Sequence, residues 1–309
     1  MIKVGFVGAG AIAGLHAKGL KKLRGVEIAA WCSRSVESAR QMAATYGGET
    51  LSFEQMLARE DIRGLLVCTP TPLHARQVLA ALQAGKKVFC EKPLARTLQE
   101  AEAIREQGED RVYVGHVLRF FHEYRRAHEL IQRGTLGTIS RVYCQRLNTF
   151  PRGSRDWFAD PKQSGGVLLD LLIHDFDWLL WTFGAPASLQ VEGKEGGGWH
   201  HVVVHLHWKT GMVATVEGSW LHDQFEHTFR VEGESGSVDF SMQDGVLKLS
   251  LQNSEKITSL RNLPDPYDVQ MAHFVGWLQG QTEPVVRLEE AVAALRLSLA
   301  AIEQLQDSP

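Results

Sequence analysis

Short apolar runs alternate with helical stretches along the first third of the chain. Continuous apolar strands separated by helices are typical of a parallel sheet that is covered on both faces. The pattern therefore predicts an α/β fold that opens with a doubly wound parallel sheet in a domain spanning residues 1–119. The predicted strands are 4–7, 26–32, 65–68, 87–90 and 112–115, and the predicted helices are 12–23, 35–46, 74–84 and 98–107.

Beyond about residue 120 the spacing of the apolar positions changes. Strands with a period of two follow one another up to about residue 251, with glycines at their turns. Such strands suit an antiparallel sheet with helices on one side. We predict a second, α+β domain over residues 120–309 with a large open, mostly antiparallel sheet, whose second face is available for self-association. Its predicted helices are 122–133, 167–183 and 288–305.

Composition narrows the class of protein. A length of 309 residues suits two domains, and a net charge of -3 argues against a nucleic acid or an anionic membrane as partner. The chain begins directly with a strand pattern instead of a signal peptide. It contains no apolar run of the roughly 20 residues that cross a bilayer. We therefore expect a cytoplasmic protein.

A glycine-rich turn links the first predicted strand to the first predicted helix. The string from Gly8 to Ala13 is GxGxxA. In this motif the first glycine makes the tight turn, and the second, Gly10, lets the backbone approach a pyrophosphate. The N–H groups at the helix start, those of Ala11 and Ile12, can bind the phosphates. The motif predicts a Rossmann domain that binds a dinucleotide.

The end of the second strand bears on which dinucleotide is bound. NAD-preferring sites carry an acidic residue there, but this chain has Ser33 and Arg34. A hydroxyl followed by a guanidinium can bind a 2′-phosphate through charge-assisted hydrogen bonds. The sequence thus favours NADP, with NAD as the alternative because Arg34 can also stack on adenine. A helix N-cap serine with an incidental arginine is the structural alternative.

Three histidines, a residue type that binds metal ions, share one face of a predicted strand. No Cys, Asp or Glu lies among His201, His205 and His207, and residues two apart on a strand point outward in parallel. The cysteines have no metal-like spacing either. We predict no metal site and assign this face to solvent or to a subunit interface.

Two further motifs complete a family pattern. One runs from Thr69 and Pro70 to His74, another is Glu91-Lys92-Pro93, and a double glycine precedes Asp170 and His174 in the third. With the glycine loop, they resemble the Gfo/Idh/MocA oxidoreductases, which include glucose–fructose oxidoreductase and inositol dehydrogenase. The resemblance extends from residue 4 to the last helix. It implies a homodimer or homotetramer assembled through the C-terminal sheet.

The resemblance also implies roles for single residues. Lys92 and His174 flank the carbon that gives or takes the hydride, and Asp170 holds a substrate hydroxyl. Thr69 and Pro70 line the ribose next to the nicotinamide. Glu91 helps to fix the cofactor, and His74, in the Thr69 motif, is predicted to contact it too.

The residues support these roles on their own chemistry. Lys92 follows an apolar strand, so it lies at the carboxyl edge of the parallel sheet, where ligands bind in such folds. Asp170 and His174 are four apart, which places them on one face of a helix. A carboxylate and an imidazole can bind hydroxyls and move a proton. A surface lysine and a helix-surface ion pair are the structural alternatives.

Other residues are weaker candidates for binding substrate. Arg119 follows the last Rossmann strand, where a packing role is the alternative to a substrate contact. Trp157, with Arg152 and Arg155, precedes the Asp170 helix and can rim a sugar pocket.

The expected activity is hydride transfer between a nicotinamide and a polyhydroxylated substrate, such as a sugar, a sugar derivative or an inositol. Which of Lys92 and His174 takes the proton first stays open. Two alternatives remain: a glycosidase that uses NAD(P) only transiently, and a nucleotide-sensing regulator without chemistry.

Overall fold

The computed structural model describes residues 1–108, 110–151, 156–193 and 198–307. It divides the chain into two compact units. The first contains residues 1–120 and 264–292, and the second contains residues 121–263 and 293–309. None of the described helices is long and apolar enough to span a bilayer.

The first unit is built on a parallel sheet, as predicted. Its apolar strands are buried on both faces because helices cover each side. Among the described residues the sheet has six strands in the order β3-β2-β1-β4-β5-β6, with all pairs parallel. The strands are β1 (Ile2–Val7), β2 (Val26–Cys32), β3 (Glu49–Thr50), β4 (Ile62–Val67), β5 (Lys87–Cys90) and β6 (Val112–Val114).

Helices connect these strands. Two begin with serine caps, since Ser35 accepts the N–H of Ser38 and Ser52 forms a reciprocal capping box with Gln55. The short β3 and the helix after Ser52 were not predicted, because neither is long enough to show a period. The helices are α1 (Ala11–Leu20), α2 (Val36–Tyr46), α3 (Phe53–Ala58), α4 (His74–Gln83) and α5 (Leu98–Gly108).

The second unit contains a large mixed sheet, mostly antiparallel as predicted. Its described strands are ordered β14-β13-β12-β11-β7-β10-β9-β8, and only β7 and β10 run parallel among the described pairs. The helices are α6 (His122–Gln132), α7 (Pro161–Ser164) and α8 (Ile173–Phe183). The strands are β7 (Ile139–Thr149), β8 (Ser188–Gly193), β9 (His201–His207), β10 (Val213–Ser219), β11 (Leu221–Gly233), β12 (Gly236–Ser241), β13 (Val246–Leu251) and β14 (Ser254–Ser259).

The chain returns to the first unit after β14. Helix α9 (Pro266–Leu278) packs on α1 and contributes Met271 and Phe274 to the core of the first unit. The final helix α10 (Leu288–Asp307) begins in residues of the first unit and ends in residues of the second. The sequence predicts two contiguous domains that meet at 119/120. That prediction does not include the return of residues 264–292 to the first unit.

Candidate functional site

The glycine loop lies between β1 and α1, as predicted. Gly8 has a φ of +110°, and a Cβ added there would be 2.5 Å from the carbonyl oxygen of Cys68, at the end of β4. Its N–H also donates to the carbonyl of Cys32, at the end of β2 (2.8 Å). Only glycine tolerates this conformation and this close approach. Gly8 therefore pins the loop to the carboxyl edge of the sheet.

Gly10 has the opposite surroundings. A Cβ added to it would meet no protein atom within 4 Å, and its φ of -90° is accessible to any residue. It is also the N-cap of α1, and no side chain caps the helix there. Ala11 and Ile12 thus begin α1 beside open space, where a pyrophosphate fits against N–H groups at the positive end of the helix. The loop meets the requirements of a dinucleotide site.

Ser33 and Arg34 follow β2 directly. The N-cap of α2 is Ser35, whose hydroxyl accepts the N–H of Ser38 (3.2 Å). Ser33 is therefore not the cap, and it is half-buried at the sheet edge. Arg34 is exposed, and no ion pair of Arg34 is found within the described residues. Both side chains remain available to a ligand.

A buried histidine fastens the loop after β4 to the loop after β5. His74 is 1% exposed; its Nε2 lies 2.8 Å from the carbonyl oxygen of Thr69 and its Nδ1 2.8 Å from that of Pro93. Burial lowers the pKa of His74, although the two carbonyls oppose this shift. The Thr69 hydroxyl donates to Gln77 (2.5 Å). Thr69 and the half-buried Pro70 are thereby held next to the Lys92–Pro93 turn.

Glu91 is the buried member of the Glu-Lys-Pro motif. Its Oε1 lies 2.5 Å from Nε2 of His16, on α1, and its Oε2 accepts the backbone N–H of Lys92 (3.1 Å). Burial acts to raise its pKa, but the His16 hydrogen bond and the charges of His16 and Lys92 outweigh burial, and the pKa of Glu91 is lowered. Sequence reasoning missed His16, because a lone histidine on a helix gives no sign of a partner so distant in sequence. Lys92 itself is half-buried.

Asp170 and His174 lie in the second unit. The sequence predicts one continuous helix over 167–183, which is wrong in one respect. Residues Val167–Leu171 form a π-helical turn, in which the N–H of Leu172 donates to the carbonyl of Val167 (2.8 Å), and α8 begins only at Ile173. Asp170 is in the π turn and His174 is in the first turn of α8, and both are half-exposed. Wide turns of this kind are frequent at functional sites.

Glycines make the π turn possible. Gly165 and Gly166 precede it with φ values of +72° and +62°. Gly218, on β10, faces it, and a Cβ there would be 2.7 Å from side-chain atoms of Val167 and Leu172. The turn therefore packs directly on the backbone of the sheet, a constraint that no local pattern reveals.

The structure separates the weaker substrate candidates. Arg119 is 3% exposed. Its Nη1 donates a hydrogen bond to the carbonyl of Val285 (3.1 Å) and forms an ion pair with Glu290 (3.2 Å). These contacts favour the packing role. Trp157 is half-buried and packs against Phe158, with ring centroids 4.0 Å apart. Arg152 and Arg155 lie outside the described residues.

The histidine face of β9 carries hydrogen bonds to neighbouring strands. His201 pairs with Glu217 (2.9 Å), and His205 lies 3.1 Å from the hydroxyl of Thr215. Within the described ranges, no group of three or more His, Cys, Asp or Glu residues is arranged to hold a metal ion.

Comparisons with known proteins agree with the two halves of the fold. A family model described as an oxidoreductase family with an NAD-binding Rossmann fold matches residues 2–116. The model for the GFO/IDH/MocA C-terminal domain matches residues 124–239.

Whole-chain relatives match over almost the full length. A 1,5-anhydro-D-fructose reductase of Ensifer adhaerens is 29% identical, covering 98% of this chain and 96% of its own. An inositol 2-dehydrogenase of Rhizobium meliloti is 25% identical, covering 99% and 97%. A solved levoglucosan dehydrogenase in complex with NADH and levoglucosan has the same fold, with a TM-score of 0.87, 19% identity and coverage of 99% and 97%. The chain belongs to the Gfo/Idh/MocA family of oxidoreductases.

Proposed function

We propose that this protein is an NADP(H)-preferring dehydrogenase or reductase that acts on a CH–OH group of a sugar, a sugar derivative or an inositol. The observation that carries the proposal is the fixed position of Lys92. Its two neighbours in sequence, Glu91 and Pro93, are each held by a buried histidine at the carboxyl edge of a dinucleotide-binding sheet. The relatives named above as reductases and dehydrogenases of anhydrofructose and inositol support the substrate class.

The dinucleotide is held by the edge of the first unit. The N–H groups of Ala11 and Ile12 bind the pyrophosphate above the open side of Gly10, with Gly8 setting the turn. Thr69 and Pro70 line the ribose beside the nicotinamide, with His74 and Glu91 fixing their loops. When bound, the nicotinamide accepts or supplies the hydride.

The preference for NADP rests on Ser33 and Arg34. The exposed guanidinium of Arg34 and the hydroxyl of Ser33 suit the 2′-phosphate, which is doubly charged and accepts several hydrogen bonds. No acidic residue stands among residues 32–36, at the end of β2, to repel it. NAD binding lacks this charge-assisted term and is expected to be weaker.

The chain's own groups handle the proton. In the oxidising direction the hydroxyl loses its proton to His174, the general base, and the electrons of the O–H bond form the C=O double bond. The hydrogen on the carbinol carbon leaves as a hydride, with both electrons of the C–H bond. Lys92 donates a hydrogen bond to the same oxygen and stabilises the developing charge. Asp170 accepts a hydrogen bond from a neighbouring hydroxyl of the substrate and so orients the substrate ring. Trp157 packs its apolar side chain against that ring. Arg119 is a weaker candidate for contacting the substrate, because its guanidinium is already bound to Glu290.

We further propose that two copies of the chain associate through the outer face of the large sheet, as a dimer or as half of a tetramer. On this face Glu217 collects hydrogen bonds from Tyr143 (2.9 Å), Gln145 (3.0 Å) and His201 (2.9 Å). Tyr143 is 37% exposed although it is large and partly apolar. Light scattering of the protein as it elutes from a size-exclusion column measures its molar mass and so tests this assembly. The mass of a monomer at all protein concentrations would exclude it.

A rate assay tests the activity. The purified protein is mixed with NADP and a panel of polyols, or with NADPH and a panel of keto-sugars, and the absorbance of the reduced nicotinamide is followed. At least one substrate is expected to turn over, and Lys92→Ala is expected to reduce kcat strongly while the Kd for NADP stays nearly unchanged. Binding of NADP without any absorbance change across both panels would refute the proposal.

A further inference from the structure

A buried contact joins the helix of the glycine loop to the catalytic motif. His16 lies on α1 with 0% of its surface exposed, and its ring packs edge-on against Phe89 of β5, with centroids 4.9 Å apart. Its Nε2 lies 2.5 Å from Oε1 of Glu91. Within the described part of the chain, Nδ1 of His16 has no hydrogen-bond partner. The bond to Glu91 is therefore the ring's one polar contact among these residues.

Glu91 transmits this contact to the next residue. Its second oxygen, Oε2, accepts the backbone N–H of Lys92 (3.1 Å). On another side lies Gly115, after β6, where an added Cβ would be 3.3 Å from Oε1 of Glu91. The carboxylate thus fits between α1, the end of β5 and the residue after β6.

We propose that His16 is a positioning residue for Lys92, holding the Glu91 carboxylate in the orientation that fixes the backbone of the lysine. This role rests on the proposed dehydrogenase function, in which Lys92 bonds the reacting oxygen. His16 acts only through Glu91, because its buried ring contacts that carboxylate and leaves none of its surface exposed to a ligand. The carbonyl of Pro93 is held independently by His74 (2.8 Å), so losing His16 frees one side of Lys92 and leaves the other in place.

The charge on Glu91 depends on the same contact. Burial alone favours the neutral carboxyl, and the pKa of Glu91 is lowered only because the hydrogen bond and electrostatic interaction with His16, together with Lys92, outweigh burial. Without the donor, Glu91 takes up a proton at a higher pH than in the native protein. A protonated Glu91 is a poorer acceptor for the N–H of Lys92. The titratable groups around Glu91 are His16 on α1, Lys92 beside it, His74 on α4, and the thiols of Cys68 and Cys90.

Two substitutions of similar volume separate positioning from packing. His16→Leu keeps an apolar side chain against Phe89 but removes the donor, whereas His16→Gln keeps a donor near the position of Nε2. Lys18→Leu, at an exposed position of the same helix, is the control. His16→Leu is expected to lower kcat about tenfold to hundredfold, the range found when a partner behind a functional ligand is lost. The Kd for NADP should rise far less than kcat falls, because the glycine loop and Arg34 are unchanged. The acid limb of the kcat profile should move to higher pH.

His16→Gln should recover most of kcat and the native pH profile, and Lys18→Leu should match the native protein. The inference is overturned if folded His16→Leu retains native kcat and pH profile. It is also overturned if the glutamine variant is as impaired as the leucine variant, because the loss would then come from packing alone.

A readout without turnover separates this inference from the proposed function. Acetylation of Lys92 by acetic anhydride is followed by mass spectrometry, with the exposed Lys18 of the same sample as reference. His16→Leu should accelerate modification of Lys92 relative to Lys18, since the backbone of the lysine loses its fixed anchor on Glu91. An unchanged ratio would overturn the positioning role, even in a protein for which no substrate is found. A changed ratio without turnover on any substrate would refute only the dehydrogenase proposal.

Discussion

Arg146 and Asp175, which lies in the first turn of α8, form a buried, bidentate ion pair. Nε of the arginine lies 2.6 Å from one carboxylate oxygen of Asp175, and Nη2 lies 3.0 Å from the other. The arginine is 2% exposed and the aspartate 0%. Nη2 also donates to the hydroxyl of Tyr124 (2.8 Å). Because Asp175 follows His174 directly, this pair anchors the turn that carries the proposed general base.

Breaking this pair should destabilise the protein strongly. Arg146→Leu leaves the Asp175 carboxylate buried without its countercharge, and such a loss costs about 3–5 kcal/mol of unfolding free energy. Arg230→Leu is the control, since Arg230 pairs with the carboxylates of Glu232 and Asp239 but its side chain is 54% exposed, and exposed pairs contribute about 0–1 kcal/mol. Urea unfolding measures both, and equal losses would contradict the burial argument.

The two glycines of the loop should respond to alanine in opposite ways. Gly8→Ala places a methyl group 2.5 Å from the Cys68 carbonyl oxygen at a φ of +110°, so stability should fall by about 1–3 kcal/mol. In Gly10→Ala the added methyl group meets no protein atom within 4 Å, so stability should fall only through the poorer N-cap, by less than about 1 kcal/mol. The Kd for NADP should rise, because the methyl group occupies the space of the pyrophosphate. Thermal unfolding and cofactor titration check the pair. Unchanged NADP affinity in Gly10→Ala would place the pyrophosphate elsewhere.

The cofactor preference should depend on Arg34. Arg34→Ala removes a charge-assisted hydrogen bond worth about 1.5–3 kcal/mol, so the Kd for NADP should rise by roughly tenfold to a hundredfold while the Kd for NAD changes little. Arg40→Ala, an exposed arginine further along α2, serves as the control. Equal losses for the two cofactors would refute the assignment of the 2′-phosphate to Arg34.

Acid should destabilise the second unit through His227. Burial is the main reason that the pKa of His227 is lowered, nearby Arg146 adds to the shift, and its hydrogen bond with Glu123 (3.0 Å) opposes it. The unfolded chain binds a proton at about pH 6.5, so this histidine's contribution is complete above that pH and is lost as the pH falls towards the lower folded value. Unfolding free energies at about pH 7.5 and about pH 5.5 should differ less in His227→Gln than in the native protein. An identical difference would exclude His227 as a source of the acid sensitivity.

The sequence predicted the parallel sheet and the glycine loop because both are encoded locally, in apolar runs and in a turn that requires glycine. Helix α9 was missed because its buried apolar residues are not confined to one face: Val275 and Trp277 are two apart, hence on opposite sides of the helix, and both are buried, so no amphipathic stripe appears. Asp265 and Pro266 form a cap and first-turn proline that would have marked its start.

Local sequence patterns do not reveal contacts that depend on the tertiary fold. The π turn at Asp170 depends on Gly218, which lies on a strand far along the chain. The pairing of His16 with Glu91 likewise depends on how α1 packs beside β5. The candidate residues themselves could be selected from the motifs, but not the contacts that hold them.

Transfer of deuterium tests the central claim most directly. A polyol that reduces NADP in the panel is prepared with deuterium on its carbinol carbon and incubated with the protein and NADP, and the nicotinamide is analysed by mass spectrometry. The account predicts deuterated NADPH accumulating in step with the ketone, and Lys92→Ala slowing both together. Release of free sugar from a glycoside without accumulating reduced cofactor, or reduced cofactor without deuterium, would contradict it.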